Sequence, residues 1–163
     1  METDLTSIII GLASLATFFV PIGIYQHHEK KGQKEAKKRF LNKAEEIGFQ
    51  IGDVEILRNH AAIGIGKNYE QLLYVLENEY EIVELTDVVD CTVFKNQKQD
   101  AGRGDGGIRQ IGLRLKLHKG SGIKLPVFEG KEGTQIGDEG LIVQRWIEKI
   151  NSASKKLGAA TAA

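Results

Sequence analysis

The chain has 163 residues, 41% of them hydrophobic, with 22 basic and 22 acidic side chains. That length fits one domain with an appendage, and the hydrophobic content suffices for a core. A balanced charge without a dominant basic footprint excludes general nucleic-acid binding. The single cysteine, Cys91, excludes an intramolecular disulfide and a cysteine-based zinc site within one chain.

The first predicted element covers residues 5–26 and is based on an apolar run at residues 5–25. Its sequence LTSIIIGLASLATFFVPIGIY contains no charged side chain, and at about 1.5 Å per residue it spans about 30 Å, the thickness of a bilayer's hydrocarbon core. The run therefore predicts a transmembrane helix. A cleaved signal peptide is disfavoured because the basic residues follow the run instead of preceding it. Ser7, Gly11 and Ser14 form a candidate helix-packing face of small side chains.

A basic segment, HHEKKGQKEAKKR, follows at residues 27–39. Cytoplasmic flanks of membrane helices are rich in Lys and Arg. We therefore expect a single-pass protein of a bacterial inner membrane, with residues 1–4 outside and the C-terminal domain in the cytoplasm. The sequence leaves open whether these cations only orient the helix or also bind anionic lipid headgroups. The cations are Lys30, Lys31, Lys34, Lys37, Lys38 and Arg39.

Residues 27–48 are predicted to form a helical neck. Apolar side chains recur there at the spacing of one helix face, and a glycine stands where a helix C-terminus favours it. We expect the stripe to cover the edge of the domain that follows. The stripe comprises Ala36, Phe40, Ala44 and Ile47, and the glycine is Gly48.

Residues 49–157 are predicted to form one domain of six or seven short antiparallel strands and a final helix, followed by a tail at 158–163. Short apolar runs separated by Gly, Asn, Asp and Lys give the strands. In GLRLKLH, leucines alternate with basic side chains, which predicts one buried face and one basic face. Pro126 indicates an edge strand. The last helix is amphipathic, and its Trp146 is expected in the core.

The segments YVLENEYEIVEL, LTDVVDCTVF and IKLPVF, together with the tryptophan-bearing WIEKIN, resemble the bacterial pleckstrin-homology-like (PH-like) domain over about residues 50–157. The resemblance implies an α+β, mainly β fold: a bent antiparallel barrel, open at one end and plugged by the last helix. The long Gly-rich connection GRGDGG and the membrane anchor depart from that pattern.

Charge is segregated within the domain. Residues 69–93 contain seven acidic and no basic side chains, whereas residues 107–127 contain five basic and no acidic ones. Two hypotheses remain open. The charges can complement each other across neighbouring strands, or the basic strand can present a face to phosphate or anionic lipid. The residues of that candidate face are Arg114, Lys116, His118 and Lys119.

No catalytic, cofactor-binding or metal-binding constellation is evident. The glycine-rich stretch at 102–107 lacks the strand and helix of a phosphate-binding loop, and the four histidines lack metal-ligand spacing. We therefore expect a non-enzymatic binding module. Its function would be that of a protein-interaction or accessory subunit of a membrane complex, or alternatively of an anionic-lipid or phosphate-binding module. An enzyme is a remote third hypothesis.

Overall fold

The computed structural model describes residues 30–97, 108–130 and 137–161. The chain divides into two compact units, Met1–Glu35 and Ala36–Ala163, and the described part of the first unit, residues 30–35, is helical. Within the described residues the fold is α+β. In chain order its elements are α1 (30–46), β1 (Ile51–Ile56), β2 (Ala62–Gly66), β3 (Gln71–Leu76), β4 (Glu79–Glu84), a 3-10 turn (Leu85–Asp87), β5 (Val88–Gln97), β6 (Ile108–Leu117), β7 (Ile123–Glu129) and α2 (Glu139–Thr161).

The seven strands form two antiparallel sheets. Sheet A has the order β1-β2-β3-β4 and sheet B the order β5-β6-β7, so each is a simple meander. The predicted strand number and antiparallel pairing are confirmed, although the strands divide between two sheets and do not form a single one. Pro126 lies in β7, at an edge of sheet B, as its missing N–H predicts.

The main core lies between the two sheets. Alternation along each strand sends every second side chain inward, so Leu113 and Leu115 of β6 meet Ile63 and Leu72 of sheet A. All four are fully buried, and so is Cys91. The alternation read from GLRLKLH is therefore confirmed for its buried face.

Helix α2 completes this core. Val143, Trp146 and Ile150 are buried against both sheets, which confirms the predicted amphipathic helix and the buried tryptophan. The indole N–H of Trp146 donates to Glu55 Oε2 at 2.7 Å. The side-chain amide of Asn151 donates to the carbonyl of Cys91 at 3.0 Å and accepts its N–H at 2.8 Å. Helix α2 thus also occupies part of the free edge of β5.

Residues 36–46 of α1 cover the outer face of sheet A. Phe40, with Ala36 and Ala44 on either side, is fully buried and packs with Leu73 and Val75 in a second, smaller core. This confirms the predicted apolar stripe but corrects its position, because the stripe covers a sheet face and not an edge. The centre of sheet A is consequently buried on both sides.

A glycine makes this close packing possible. A Cβ built on Gly64 would lie 2.4 Å from Cζ of Phe40, so only glycine lets the aromatic ring reach the strand. At the end of the helix, Gly48 adopts a φ of 70°, a left-handed conformation that glycine takes without steric cost. Both glycines therefore position α1.

The prediction of a single-pass inner-membrane protein is contradicted. In the part of the chain that the structure describes, no helix is both long enough and apolar enough to cross a membrane. Helix α1 is lysine-rich, and α2, though 23 residues long, carries charged side chains along its solvent face. The run at 5–26, with Ser7, Gly11 and Ser14, lies outside the described residues.

Candidate functional site

The outer face of sheet B carries the candidate site. Because Leu113 and Leu115 point into the core, Arg114 and Lys116 point outward and are exposed. The same alternation turns Lys124 outward in β7, next to the buried Leu125. The three cations therefore share one solvent-exposed surface, which we call the basic face.

Strand register aligns three polar side chains across the basic face. Arg114 lies directly opposite Thr92 of β5 on one side and directly opposite Lys124 of β7 on the other. With neighbouring strands about 4.8 Å apart, a hydroxyl, a guanidinium and an ammonium group follow each other across about 10 Å. All three side chains are exposed, so this row is open to a ligand.

The cations of the basic face have no acidic partner among the described residues. The ion pairs found there join other parts of the molecule, such as Arg58 with Glu139 and Lys149 with Asp53. Asp90 is opposite Lys116 in register, yet the two form no ion pair in the described structure. Like charges directly opposite each other in a sheet are destabilising, so the Arg114–Lys124 pair does not stabilise the fold.

An aromatic ring borders this row. Phe94 of β5 lies opposite Gly112, where an added Cβ would come within 2.6 Å of its ring. The ring thus lies over the glycine, and Lys124 Nζ stands 6.0 Å from the ring centroid. Phe94 places an apolar ring beside Lys124, and apolar surroundings strengthen the electrostatic attraction of any anion bound there.

The other cations predicted for the site lie elsewhere. His118 and Lys119 are exposed in the turn after β6. Lys37 and Lys38 are exposed on α1, and Arg39 donates from Nη2 to the carbonyl of His60 at 3.3 Å. Within the second unit, sheet A separates α1 from the basic face. The structure therefore brings Arg114 and Lys116 together but does not add the cations of residues 37–39. Lys30, Lys31 and Lys34 are exposed on α1.

Most of the acidic segment lies away from the basic face, and only its Asp90 is opposite a cation of that face, Lys116, in register. Its glutamates lie mainly on β4, in sheet A, whereas Arg114 and Lys116 lie on β6, in sheet B. Glu84 instead accepts a hydrogen bond from Gln71 at 2.6 Å. The hypothesis that the two charged segments complement each other on neighbouring strands is therefore not supported for β4 and β6.

Sequence reasoning missed Thr92, Phe94 and Lys124 as members of the site. Lys124 was detectable, since alternation in IKLPVF already turns it away from Leu125. Its position opposite Arg114 was not detectable, because the register of that pair is set by the turn that connects Leu115 to Ile123, whose conformation the sequence does not specify.

Two buried side chains with reactive groups, Cys91 and Glu139, are held in the core or in an ion pair. Burial, with a smaller effect from the charge of Asp90, raises the pKa of the Cys91 thiol to about 12, so it is protonated and unreactive at neutral pH. Glu139 is buried but paired with Arg58 at 2.7 Å and accepts the N–H of Gly137 at 2.6 Å. Over the described ranges, no cluster of three His, Cys, Asp or Glu residues could hold a metal ion.

Comparison of the chain with protein-family models, with curated proteins and with solved structures finds no match. The function must therefore be argued from the geometry of the chain itself.

Proposed function

We propose that this chain is a non-catalytic binding module whose second unit is a PH-like domain that binds a phosphate-bearing or otherwise anionic ligand. The order of elements supports the fold assignment: a four-stranded meander, a three-stranded meander, and a C-terminal helix that fills the space between the sheets. The ligand chemistry follows from the basic face.

The observation that carries the proposal is the Arg114–Lys124 pair. These residues are directly opposite each other, exposed, and without an acidic partner in the described structure. An anion bound between them would remove their mutual repulsion. Guanidinium offers a planar fork of donors to two oxygen atoms of one phosphoryl group, and the ammonium adds a mobile point charge. Thr92 supplies a hydroxyl donor at the end of the row.

The proposal is tested by titrating the full-length protein with inorganic phosphate and, separately, with vesicles of phosphatidylglycerol mixed into phosphatidylcholine. Binding is followed by nuclear magnetic resonance for phosphate and by cosedimentation for vesicles. The double variant Arg114→Glu/Lys124→Glu is expected to lose about tenfold or more in affinity, because it removes charge-assisted hydrogen bonds. Pure phosphatidylcholine vesicles report binding that does not depend on anionic charge.

A matched control separates the site from general charge. Lys155→Glu/Lys156→Glu makes the same change in net charge at two exposed positions of α2 and should leave affinity within about twofold. Phosphate binding alone identifies a soluble ligand, and vesicle binding alone identifies a membrane surface. Equal losses in the two double variants, or no binding of either probe, would contradict the proposal.

A protein-binding function is the second candidate. It is favoured by a separate feature, the open edge of β4, whose surroundings differ in charge from those of the basic face.

A further inference from the structure

Strand β4 forms one edge of sheet A. It pairs with β3 along six residues, Glu79 to Glu84, and no described strand pairs with its other side. Four of the six side chains, at residues 79–82, are exposed in an unbroken run. Strand β4 therefore offers an accessible edge of six residues, which an extended peptide could pair with along its length.

The hydrogen-bonding pattern identifies which backbone groups are open. The N–H of Leu85 donates to the carbonyl of Glu70 at 2.7 Å, and bonded pairs in an antiparallel ladder recur at every second residue. Glu79, Glu81 and Val83 are therefore the β4 residues bonded to β3. The alternate residues direct their N–H and C=O groups to the free edge; these are Tyr80 and Ile82, followed by Glu84.

The same two residues place apolar side chains beside that edge. Tyr80 and Ile82 lie opposite Val75 and Leu73, which face α1 in the smaller core. They remain 45% and 40% exposed, respectively. Lys43 of α1 lies over the Tyr80 ring, with Nζ 4.5 Å from its centroid. An added strand would continue the outer face of sheet A and cover both side chains.

The opposite face of the edge is acidic. Glu79 and Glu81 are exposed, two residues apart on one side of the strand, and neither forms an ion pair within the described part of the chain. Antiparallel pairing of β4 with β4 of a second copy would bring glutamate against glutamate, which disfavours self-association. Charge complementarity instead selects a basic occupant.

We propose that the free edge of β4 binds an extended segment of a partner protein in which apolar and basic side chains alternate. Main-chain hydrogen bonds to Tyr80 and Ile82 would add the segment to sheet A as a fifth strand. Its apolar side chains would cover the side chains of those two residues, and its Lys or Arg side chains would lie beside Glu79 and Glu81. This surface is independent of the basic face on sheet B.

The test uses the full-length protein and a short, end-capped peptide of alternating lysine and valine. A peptide alternating glutamate and valine is the control for charge, and one with the lysines and valines in separate blocks is the control for alternation. We expect only the alternating basic peptide to bind, with an affinity that falls as salt is added. Binding should slow hydrogen exchange of the Tyr80 and Ile82 amides, which are open in the free protein.

Two variants locate the site. Glu79→Lys/Glu81→Lys should weaken binding about tenfold or more, whereas Glu45→Lys/Glu129→Lys, an equal charge change at exposed positions, should change it less than about threefold. Ile82→Pro removes an open N–H without breaking a bond to β3 and should also abolish binding. If Ile82→Pro unfolds, the glutamate pair still decides the question.

The proposal is wrong if the alternating basic peptide does not bind, or if it binds equally to both glutamate variants. It is equally wrong if binding leaves the exchange of the two amides unchanged, or if both amides are already protected from exchange in the free protein.

Discussion

Sheets A and B share one kind of local contact, a phenylalanine ring packed on a glycine, but the contact has opposite consequences in the two sheets. In sheet A, Phe40 lies on Gly64, and in sheet B, Phe94 lies on Gly112. Phe40 belongs to a helix, so its contact brings α1 down and covers the outer face of the sheet. Phe94 belongs to the sheet itself, so its contact fills one position and leaves the rest of the face exposed to solvent.

The difference indicates which surface is structural and which is available to a ligand. A face covered by a helix is apolar and well packed, and its residues contribute mainly to the free energy of unfolding. The bare face of sheet B carries Arg114, Lys116 and Lys124, which have no acidic partner in the described structure. Since Arg114 and Lys124 are like charges directly opposite each other, we expect this pair to weaken the fold slightly.

The largest expected effect is at the covered face. Phe40→Ala should lower the free energy of unfolding by about 3–5 kcal/mol, since it removes a fully buried ring and leaves a cavity between α1 and sheet A. Urea denaturation measures this loss. The neighbouring Leu41 is 42% exposed, and Leu41→Ala should cost less than about 1 kcal/mol. Equal losses would mean that α1 does not depend on Phe40 for its position.

The two glycines provide the next comparison. Gly64→Ala and Gly112→Ala should each cost about 1–3 kcal/mol through overpacking, and Gly112→Ala should cost more. At Gly64 the closest atom is the tip of the Phe40 ring, which can shift, whereas at Gly112 it is the backbone carbonyl oxygen of Leu125. Denaturation of the two variants ranks them, and the reverse order would contradict the described β6–β7 register.

The core between the sheets should lose stability in alkali. Burial raises the pKa of Tyr74 from 10.0 to about 12 despite an opposing hydrogen bond from Asn59, and burial raises that of Cys91 from 9.0 to about 12. The folded state favours the neutral form of both groups. The free energy of unfolding therefore keeps its maximal value below pH 9.0 and decreases as the pH rises toward about 12.

Each group contributes a slope of at most about 1.4 kcal/mol per pH unit in its own window. Denaturation at a series of pH values checks this. Tyr74→Phe should flatten the fall above pH 10.0, and Cys91→Ala should flatten it above pH 9.0. An unchanged slope in both variants would show that neither group titrates differently in the folded and unfolded chains.

Local periodicity was enough to predict most elements of the second unit. Leucine alternation identified the buried face of β6, and the spacing around Trp146 identified α2 and its buried side. These patterns depend on each residue's own strand or helix. The apolar stripe of α1 was predicted for the same reason.

What lies opposite a given residue could not be predicted. The pairing of Arg114 with Lys124 depends on the register set by the β6–β7 turn, and the close packing of Phe40 on sheet A depends on Gly64 of β2. Neither leaves a periodic signal in the sequence. The prediction of a single-pass inner-membrane protein is contradicted by the finding that no described helix is both long enough and apolar enough to cross a membrane, and the run at 5–26 that motivated it lies outside the described residues.

The assignment of the basic face as a ligand site is tested by the variant with the smallest expected effect on stability. The full-length variant Arg114→Gln/Lys124→Gln should unfold with a free energy equal to that of the wild type, or higher by about 0.2–1 kcal/mol, because like charges are removed. In the same samples, affinity for inorganic phosphate or for anionic vesicles should fall about tenfold or more. A loss of stability with unchanged binding would contradict the assignment of the basic face as a ligand site.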